Sequence, residues 1–268
     1  MRQDGFADID TRHASGARMY DYMLGGTDNY AVDRAMIEHL ENAMPGTKAI
    51  ARNNRRFLER VVHYLSQDCG IRQFIDNGSG LPTQDNVHQI AQSIAPGSRV
   101  IYVDNDPVVV RHQKVAALAE DANTAFILCD ACDADAVLGH PDTRRLIDFT
   151  EPVGVLYLAF FHFIPDESDP WAVTRRMMSR VAPGSYLALS HMVTDDAGVR
   201  DFVSGLSREP MGDRLGRLRR RHEVAPFFDD LDLVEPGLVD TTDWRPDGRQ
   251  EGQSRQWAAY GGVARRQP

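Results

Sequence analysis

The stretch IDNGSGLPT at residues 75–83 decides the fold, together with the stretch VDND at residues 103–106. The first predicts a buried strand, a tight turn at two glycines and the start of a helix. Pro82 suits the first turn of that helix, where a backbone N–H would have no helical partner. The second predicts the end of the next strand, because it follows at about the length of one strand–helix–strand unit. Ligands of open α/β sheets bind beyond such strand ends, so the two stretches predict a nucleotide-type pocket.

From residue 71 onward, short apolar runs alternate with helical runs. Strands are predicted at 73–76, 99–104, 125–129, 153–160 and 185–190, and helices at 83–95, 107–121, 133–147 and 169–181. This alternation is typical of a parallel sheet that is covered by helices on both faces. Two later runs, 231–235 and 256–263, predict an antiparallel edge. We therefore predict one α/β domain over residues 71–268 with seven, mostly parallel strands.

Residues 1–70 differ in kind from the rest and predict an N-terminal helical cap or lid. Short helices are expected to break at Gly25-Gly26 and at Pro45-Gly46, and a longer helix is expected over 49–68. The density of aromatic, amide and charged side chains favours a surface that faces a ligand. The alternative is an extension that packs on the domain and exposes its polar groups. The candidates for contact with a ligand are Tyr20, Tyr22, Asn29 and Arg52.

Composition narrows the class of protein. Hydrophobic residues make up 42% of the 268 residues, which is typical of a globular protein, and the formal net charge of −9 argues against a nucleic-acid-binding surface. The longest apolar run, Val153–Ile164, is too short to span a bilayer, and the N-terminus lacks the apolar core of a secretion signal. Three cysteines make no disulfide framework. We expect a soluble, cytoplasmic protein with no membrane or nucleic-acid partner.

The glycine turn predicts cofactor contacts from Asp76, Gly78 and Gly80. A dinucleotide fingerprint would need a third glycine where the chain has Thr83, which disfavours a nicotinamide cofactor. Two glycines after a strand are also compatible with an ordinary tight turn. Asp104 at the end of the next strand favours the cofactor interpretation, because a carboxylate there accepts hydrogen bonds from ribose hydroxyls. Its neighbour Asn105 is a further candidate.

The segment LCDACD at residues 128–133 follows the third predicted strand. Asp130 is placed to accept a hydrogen bond from an adenine amino group, and the N–H of Ala131 to meet a ring nitrogen. A Cys-x-x-Cys redox or metal pair is less favoured, since a zinc site needs about four ligands and the third cysteine, Cys69, is distant in sequence. A third possibility is that the acidic residues only begin a helix, with Asp133 as its cap.

The fourth strand ends in LAFFHFIPD at residues 158–166. Ala159 lies where a cofactor would pass. His162 is a candidate general base, because the unperturbed pKa of histidine is near the working pH. A histidine among aromatic and aliphatic neighbours is more often a packed structural residue, and we favour that role. The basic run at 214–222 is expected to be a solvated helix face, with contact to an acidic substrate or partner as the weaker alternative.

Together these residues resemble the Rossmann-like class I methyltransferases that depend on S-adenosylmethionine. The chain resembles most closely an actinobacterial family once described only as a domain of unknown function and now called S-adenosyl methyltransferase. The matching motifs are YDYxLGG at 20–26, ARxNRxFL at 51–58, GIRQF at 70–74, GLPT at 80–83, YVDNDP at 102–107 and YGGV at 260–263. One departure is Asn77, where the class usually has an aliphatic residue.

This resemblance implies that S-adenosylmethionine is the cofactor, with Asp104 as the ribose-binding acid and Asp130-Ala131 as the adenine loop. It implies methyl transfer to an acceptor, which we expect to be a small molecule. His162 matches by position the catalytic base of some small-molecule O-methyltransferases. Two alternatives stay open, a non-catalytic S-adenosylmethionine-binding regulator and a nicotinamide-dependent oxidoreductase. The residues do not choose among oxygen, nitrogen and carbon nucleophiles.

Overall fold

The computed structural model describes residues 11–82, 85–106, 109, 121–206, 217–252, 254 and 256–267. The chain begins with three helices, α1 (Gly16–Met23), α2 (Ala31–Ala43) and α3 (Thr47–Gln67). They break at the two glycine-containing sites where breaks were expected. Gly25 and Gly46 both have positive φ, 84° and 98°, a conformation that glycine adopts without the steric penalty of a side chain.

In the described part of the chain, eight strands form one sheet. Their bounds are β1 Gln73–Asn77, β2 Arg99–Asp104, β3 Thr124–Leu128, β4 Gly154–Leu158, β5 Tyr186–Val193, β6 Asp232–Leu233, β7 Val239–Asp240 and β8 Ala258–Arg265. The order is β3-β2-β1-β4-β5-β8-β6, and β7 also pairs with β8. Strands β1 to β5 are parallel, whereas β8 runs antiparallel to β5, β6 and β7. The prediction of a Rossmann-like, mostly parallel sheet is confirmed, and the late edge is divided between two short strands.

The later helices are α4 Val87–Ile94, α5 Ala134–Gly139, α6 Pro141–Leu146, α7 Pro170–Arg180 and α8 Ala197–Leu206. The single helix predicted over 133–147 is wrong, because Pro141 cannot donate an interior helical hydrogen bond and instead starts a second helix. Helix α4 begins at Val87, after Asn86 as its N-cap. Residues 83 and 84, and the helix predicted over 107–121 apart from Val109 and Asp121, lie outside the described residues.

Two apolar cores flank the sheet, and alternate residues of each strand supply them. In β1, Ile75 belongs to the core beneath α5 to α7, whereas Phe74 belongs to the core shared with α3. Phe57, Val61 and Leu65 of α3 are fully buried in that second core. Burial of each such side chain stabilises the folded state by about 1.5–3 kcal/mol. Helix α3 is therefore packed on the sheet itself and provides the base on which α1 and α2 are mounted.

Among the residues that the structure describes, no helix is long and apolar enough to cross a bilayer. The longest helix, α3, spans 21 residues and includes many charged side chains.

Close packing of β8 on β5 predicts that Gly261→Ala destabilises the fold. A Cβ at this position would lie 2.0 Å from the carbonyl oxygen of Leu189. Because this oxygen belongs to the backbone in the middle of the sheet and cannot move aside, we expect the free energy of unfolding to fall by about 1–3 kcal/mol in urea denaturation. Gly139→Ala is the control, since nothing lies within 4 Å of its added Cβ. Equal stability of the two variants would contradict the expected backbone clash.

Candidate active site

A cavity of about 610 Å³ opens at the carboxyl edge of the parallel strands, beneath α1, α2 and α3. The ends of β1 to β4 contribute Asp76, Asp104, Asp130 and Ala159 to its lining. Parallel strands bring their carboxyl ends to one edge, so residues far apart in sequence meet there. The structure thus brings all eight predicted cofactor-binding residues to one cavity, namely Asp76, Gly78, Gly80, Asp104, Asn105, Asp130, Ala131 and Ala159.

The glycine turn is tied to the end of β2. The N–H groups of Gly78 and Ser79 both donate to the carbonyl of Val103, at 2.8 and 3.1 Å. Gly78 has φ +71°, and a Cβ there would lie 2.3 Å from the ring of Phe160. Only glycine fits this backbone, because the ring of Phe160 packs directly against it.

The side chain of Asp104, at the end of β2, also holds the glycine turn. Its two carboxylate oxygens accept the N–H groups of Gly80 and Asp106, each at 2.9 Å. Burial raises the pKa of Asp104 above its ordinary value, although these backbone donors favour the ionised form. Each carboxylate oxygen keeps a further lone pair that can accept a hydrogen bond from a ligand.

Asp76 lies at the end of β1 and is almost fully buried. The pKa of Asp76 is raised to about 7, because burial outweighs the opposing effect of the Arg55 guanidinium and the charge of Asp104 also favours the protonated form. The carboxyl group therefore changes charge near neutral pH. A cationic ligand group beside it would favour the ionised form.

The loop after β3 carries Asp130 and Ala131. The carboxylate of Asp130 accepts the N–H of Cys132 at 2.9 Å, and the carbonyl of Ala131 accepts the hydroxyl of Tyr157 at 3.1 Å. Asp133 caps α5 by accepting the N–H of Ala136. Cys129 and Cys132 are free thiols, and burial raises the pKa of Cys132 to about 12, which makes it unreactive. The described residues include no cluster of metal-ligating side chains.

Ala159 has φ +54°, which is rare for a residue with a side chain. Its N–H donates to the hydroxyl of Ser190 at 2.9 Å, and that hydroxyl donates to the amide oxygen of Asn54 at 2.6 Å. The Asn54 amide nitrogen in turn donates to the Tyr20 hydroxyl at 3.2 Å, which donates to the carbonyl of Ala51. This buried chain of hydrogen bonds joins α1 and α3 to the ends of β4 and β5.

Of the four lid candidates, Tyr20 lines the cavity, whereas Tyr22, Asn29 and Arg52 do not. The hydroxyl of Tyr22 donates to Glu38, and Lys48 lies over its ring. The amide of Asn29 donates to Asp21 and to the carbonyl of Gly26. Arg52 pairs with Glu251, so it fastens α3 to the C-terminal part of the chain.

His162 lies in a 3₁₀ turn after β4 and lines the cavity. Burial, together with the positive charge of Arg219, lowers the pKa of His162 to about 3. The ring is therefore neutral at physiological pH. Its Nδ1 is buried and has no hydrogen-bond partner in the described part of the chain.

Arg219 was missed, because the basic run was expected to be a solvated helix face. That expectation is wrong for Arg219, which is fully buried and forms a bridge with Val193 instead of a helix. Residues 214–216 of the run lie outside the described residues. The Arg219 guanidinium donates to the carbonyls of Phe161 and Ile164, to the carboxylate of Asp166 and to Nε2 of His191. It therefore holds the turn that carries His162, and nothing in the sequence separates it from its basic neighbours.

Asn77, which stands where the class usually has an aliphatic residue, makes its side-chain contacts within the sheet. Its side chain is fully buried, and the amide nitrogen donates to the carbonyl of Leu156 at 3.2 Å. Asn77 does not line the cavity, so it adds a contact between β1 and β4.

The second half of the cavity is an apolar chamber that no motif indicated. Its side chains come from helices α2, α3 and α8, from strand β5, and from the positions directly before Arg219 and directly before β8. The chamber is lined by Leu40, Ile50, Met192, Val203, Leu218 and Trp257.

The strand order, the glycine turn and the carboxylates at adjacent strand ends together define a Rossmann-like, nucleotide-cofactor protein. The model of the family described as S-adenosyl methyltransferase matches residues 2–267, and the chain belongs to this family. It is therefore an enzyme of the methyltransferase class that depends on S-adenosylmethionine.

Two crystal structures resemble the chain over nearly its whole length. A DUF574 family protein from Streptomyces avermitilis is 37% identical, with a TM-score of 0.85, and the match covers 96% of this chain and 99% of that one. A methyltransferase candidate from Thermobifida fusca is 37% identical, with a TM-score of 0.86, and the match covers 97% of each chain. No curated protein matches the chain. The comparisons favour neither the non-catalytic alternative nor the oxidoreductase.

The buried guanidinium predicts that Arg219→Lys lowers the free energy of unfolding by about 1–3 kcal/mol. A lysine has one ammonium group and cannot reach all the acceptors that the guanidinium fork serves. Urea denaturation measures the change. The control is Arg220→Lys at the exposed neighbouring position, where we expect a change within about 0.5 kcal/mol. A similar small loss in both variants would show that the buried contacts do not hold the turn.

The pKa of Asp76 predicts a pH dependence of stability. In the unfolded chain its pKa is near 3.8, and in the folded protein it is about 7. Between these values the folded state binds the extra proton, so this group's contribution to the free energy of unfolding falls as the pH rises from about 4 through about 7. Denaturation at several pH values should show a smaller fall for Asp76→Asn than for the wild type. Identical slopes would contradict the assignment.

Proposed function

We propose that this enzyme transfers the methyl group of S-adenosylmethionine to a small-molecule acceptor enclosed between the strand ends and helices α1 to α3. The observation that supports this most directly is the continuity of one cavity. The carboxylates of Asp76, Asp104 and Asp130 line one half, and the apolar chamber forms the other half. A cofactor in the first half would present its reactive end to a molecule in the second.

The residues present fit the cofactor. Gly78 and Gly80 of the glycine turn line the cavity, so a cofactor could approach their backbone without meeting a side chain of these two residues. The hydroxyl oxygen of Ser79 in the same turn is buried and has no hydrogen-bond partner in the described structure. A buried hydroxyl without a partner is unfavourable, and a polar group of a bound ligand would satisfy it.

Each carboxylate has a proposed role. Asp104 accepts hydrogen bonds from the ribose hydroxyls, and Asp130 accepts one from the adenine amino group. Asp76 lies at the end of β1, two residues before Gly78, and its partly ionised carboxyl group would attract the cationic end of the cofactor. Asn105 and Ala159 complete the wall with side-chain and backbone contacts.

When bound, the cofactor supplies a methyl group on a sulfonium; a bond forms from the acceptor's nucleophile to the methyl carbon while the carbon–sulfur electron pair stays on sulfur. The protein's main contribution is to hold the two molecules in line, and such alignment is worth up to about 7–11 kcal/mol in favourable cases.

We propose that the neutral imidazole ring of His162 orients the acceptor. Its lowered pKa makes it a weak resting base. A protonated nucleophile that binds beside it would pass its proton to His162 only as the methyl transfer lowers the pKa of that nucleophile. Tyr20 is proposed to close the cavity from α1, through the hydrogen-bond chain to Ser190. The remaining lid candidates, Tyr22, Asn29 and Arg52, are proposed to stabilise the helices that hold Tyr20.

Substitution of the ribose-binding acid tests the proposal. Asp104→Ala should weaken the binding of S-adenosylhomocysteine by about 10- to 100-fold, because charged acceptors of hydrogen bonds contribute about 1.5–3 kcal/mol. Calorimetric titration measures the change. Asp142→Ala, an exposed carboxylate at the start of α6, is the matched control and should bind as the wild type does.

Asp104 also holds the glycine turn, so denaturation of each variant must accompany the titration. Asp104→Asn keeps one acceptor oxygen and should have intermediate affinity. Unchanged affinity in a folded Asp104→Ala variant would refute the ribose assignment.

A further inference from the structure

We infer that the methyl acceptor is an uncharged, predominantly apolar small molecule that carries an oxygen able to accept a hydrogen bond. The inference rests on the proposed function, because it describes the occupant of the second half of the same cavity. It is carried by the make-up of the apolar chamber.

The chamber has its own apolar packing. Ile50, Leu218 and Trp257 belong to a cluster separate from the two cores that flank the sheet, and Leu40, Met192 and Val203 pack against it. The fold therefore keeps apolar side chains around an open volume. The side chain of Met192 is flexible and adapts to the shape of an apolar ligand.

Among the described residues, the charged side chains of the lining lie in the other half of the cavity. The charged side chains in the lining belong to α1, α3 and the loops at the ends of β1, β2 and β3. In the part of the chain that the structure describes, α2, β5 and α8 contribute no charged side chain to the lining. A charged acceptor would lose its hydration in the chamber and find no counter-charge among the described residues of α2, β5 and α8, which is strongly unfavourable.

One side chain of the chamber lining carries a hydrogen-bond donor for which the described residues provide no acceptor. Trp257 is 8% exposed and lines the cavity, and its indole Nε1 is buried without a hydrogen-bond acceptor in the described residues. The indole N–H can only donate. A carbonyl, ether or hydroxyl oxygen on the acceptor would satisfy this group while the rest of the molecule contacts apolar side chains.

The volume limits the size of the acceptor. About 610 Å³ has to hold both the cofactor and the acceptor, and this total is within the range of a single drug-sized pocket. Such a space suits a molecule of one or two rings and excludes a polypeptide or polynucleotide segment that enters whole.

Three naphthalene probes of one shape test the inference. 2-Naphthol is neutral, 2-naphthoate is anionic and 2-naphthylmethylammonium is cationic. Each is titrated calorimetrically into the full-length protein that is already saturated with S-adenosylhomocysteine. We expect 2-naphthol to bind about tenfold or more tightly than either charged probe, because only the charged probes must lose ionic hydration in the chamber.

Two leucine substitutions make the test specific for the chamber. Leu40→Gln should weaken the binding of 2-naphthol by about tenfold and leave the affinity for S-adenosylhomocysteine unchanged. Leu233→Gln is the matched control, because Leu233 is 45% exposed in β6 and lies outside the cavity lining. It should change neither affinity.

The outcomes separate the two proposals. If S-adenosylhomocysteine binds but 2-naphthol does not, or if a charged probe binds as tightly, the inference about the acceptor is overturned and the proposed function stands. Equal effects of Leu40→Gln and Leu233→Gln on 2-naphthol would also overturn it. Failure of the wild type to bind S-adenosylhomocysteine would overturn the proposed function, and the inference with it.

Discussion

The hydrogen bond between Ser190 and Asn54 joins the two parts of the molecule that enclose the cavity. At 2.6 Å, it links β5 of the sheet to α3, and both residues are buried. A polar group buried without a partner is unfavourable, so this pair fixes the position of α3 along the sheet. Tyr20 on α1 and the N–H of Ala159 extend the same chain of hydrogen bonds. Helices α1 and α3 on one side of the cavity and the strands on the other side are thereby held at a fixed separation.

The sheet imposes a second constraint, which gives the cavity its electrostatic character. Parallel pairing places Asp76 and Asp104 at the ends of neighbouring strands, and each carboxylate raises the free energy of ionising the other. Arg55 on α3 offsets part of this repulsion. Binding of a cation and ionisation of Asp76 therefore favour each other. The described residues of the apolar chamber include no such charge, so one cavity provides two chemically distinct halves.

The sequence predicted what depends on local order along the chain. Buried parallel strands appear as short apolar runs, and the acids that end them, such as Asp104, are recognisable from that position alone. The helix predicted over 133–147 is divided at Pro141, which starts a second helix because it cannot donate an interior helical hydrogen bond. The likeness of the motifs to a known family was confirmed by the match over residues 2–267.

What the sequence could not predict depends on contacts between distant segments. Asn54 meets Ser190 across 136 positions, and Arg219 reaches Phe161 across 58. The apolar chamber is assembled from such segments too. Tyr22 lies in a segment whose composition predicted contact with a ligand, yet its hydroxyl donates to Glu38 on the adjacent helix. Residue type identifies side chains able to bind a ligand, whereas only the fold determines which of them face the cavity.

A crystal structure of the protein grown with S-adenosylhomocysteine tests the central claim most directly. The account predicts the ribose at Asp104, the adenine at Asp130 and the sulfur directed toward the chamber that contains Leu40 and Leu218. A ligand bound outside the cavity, or one whose sulfur faces away from the chamber, would contradict it.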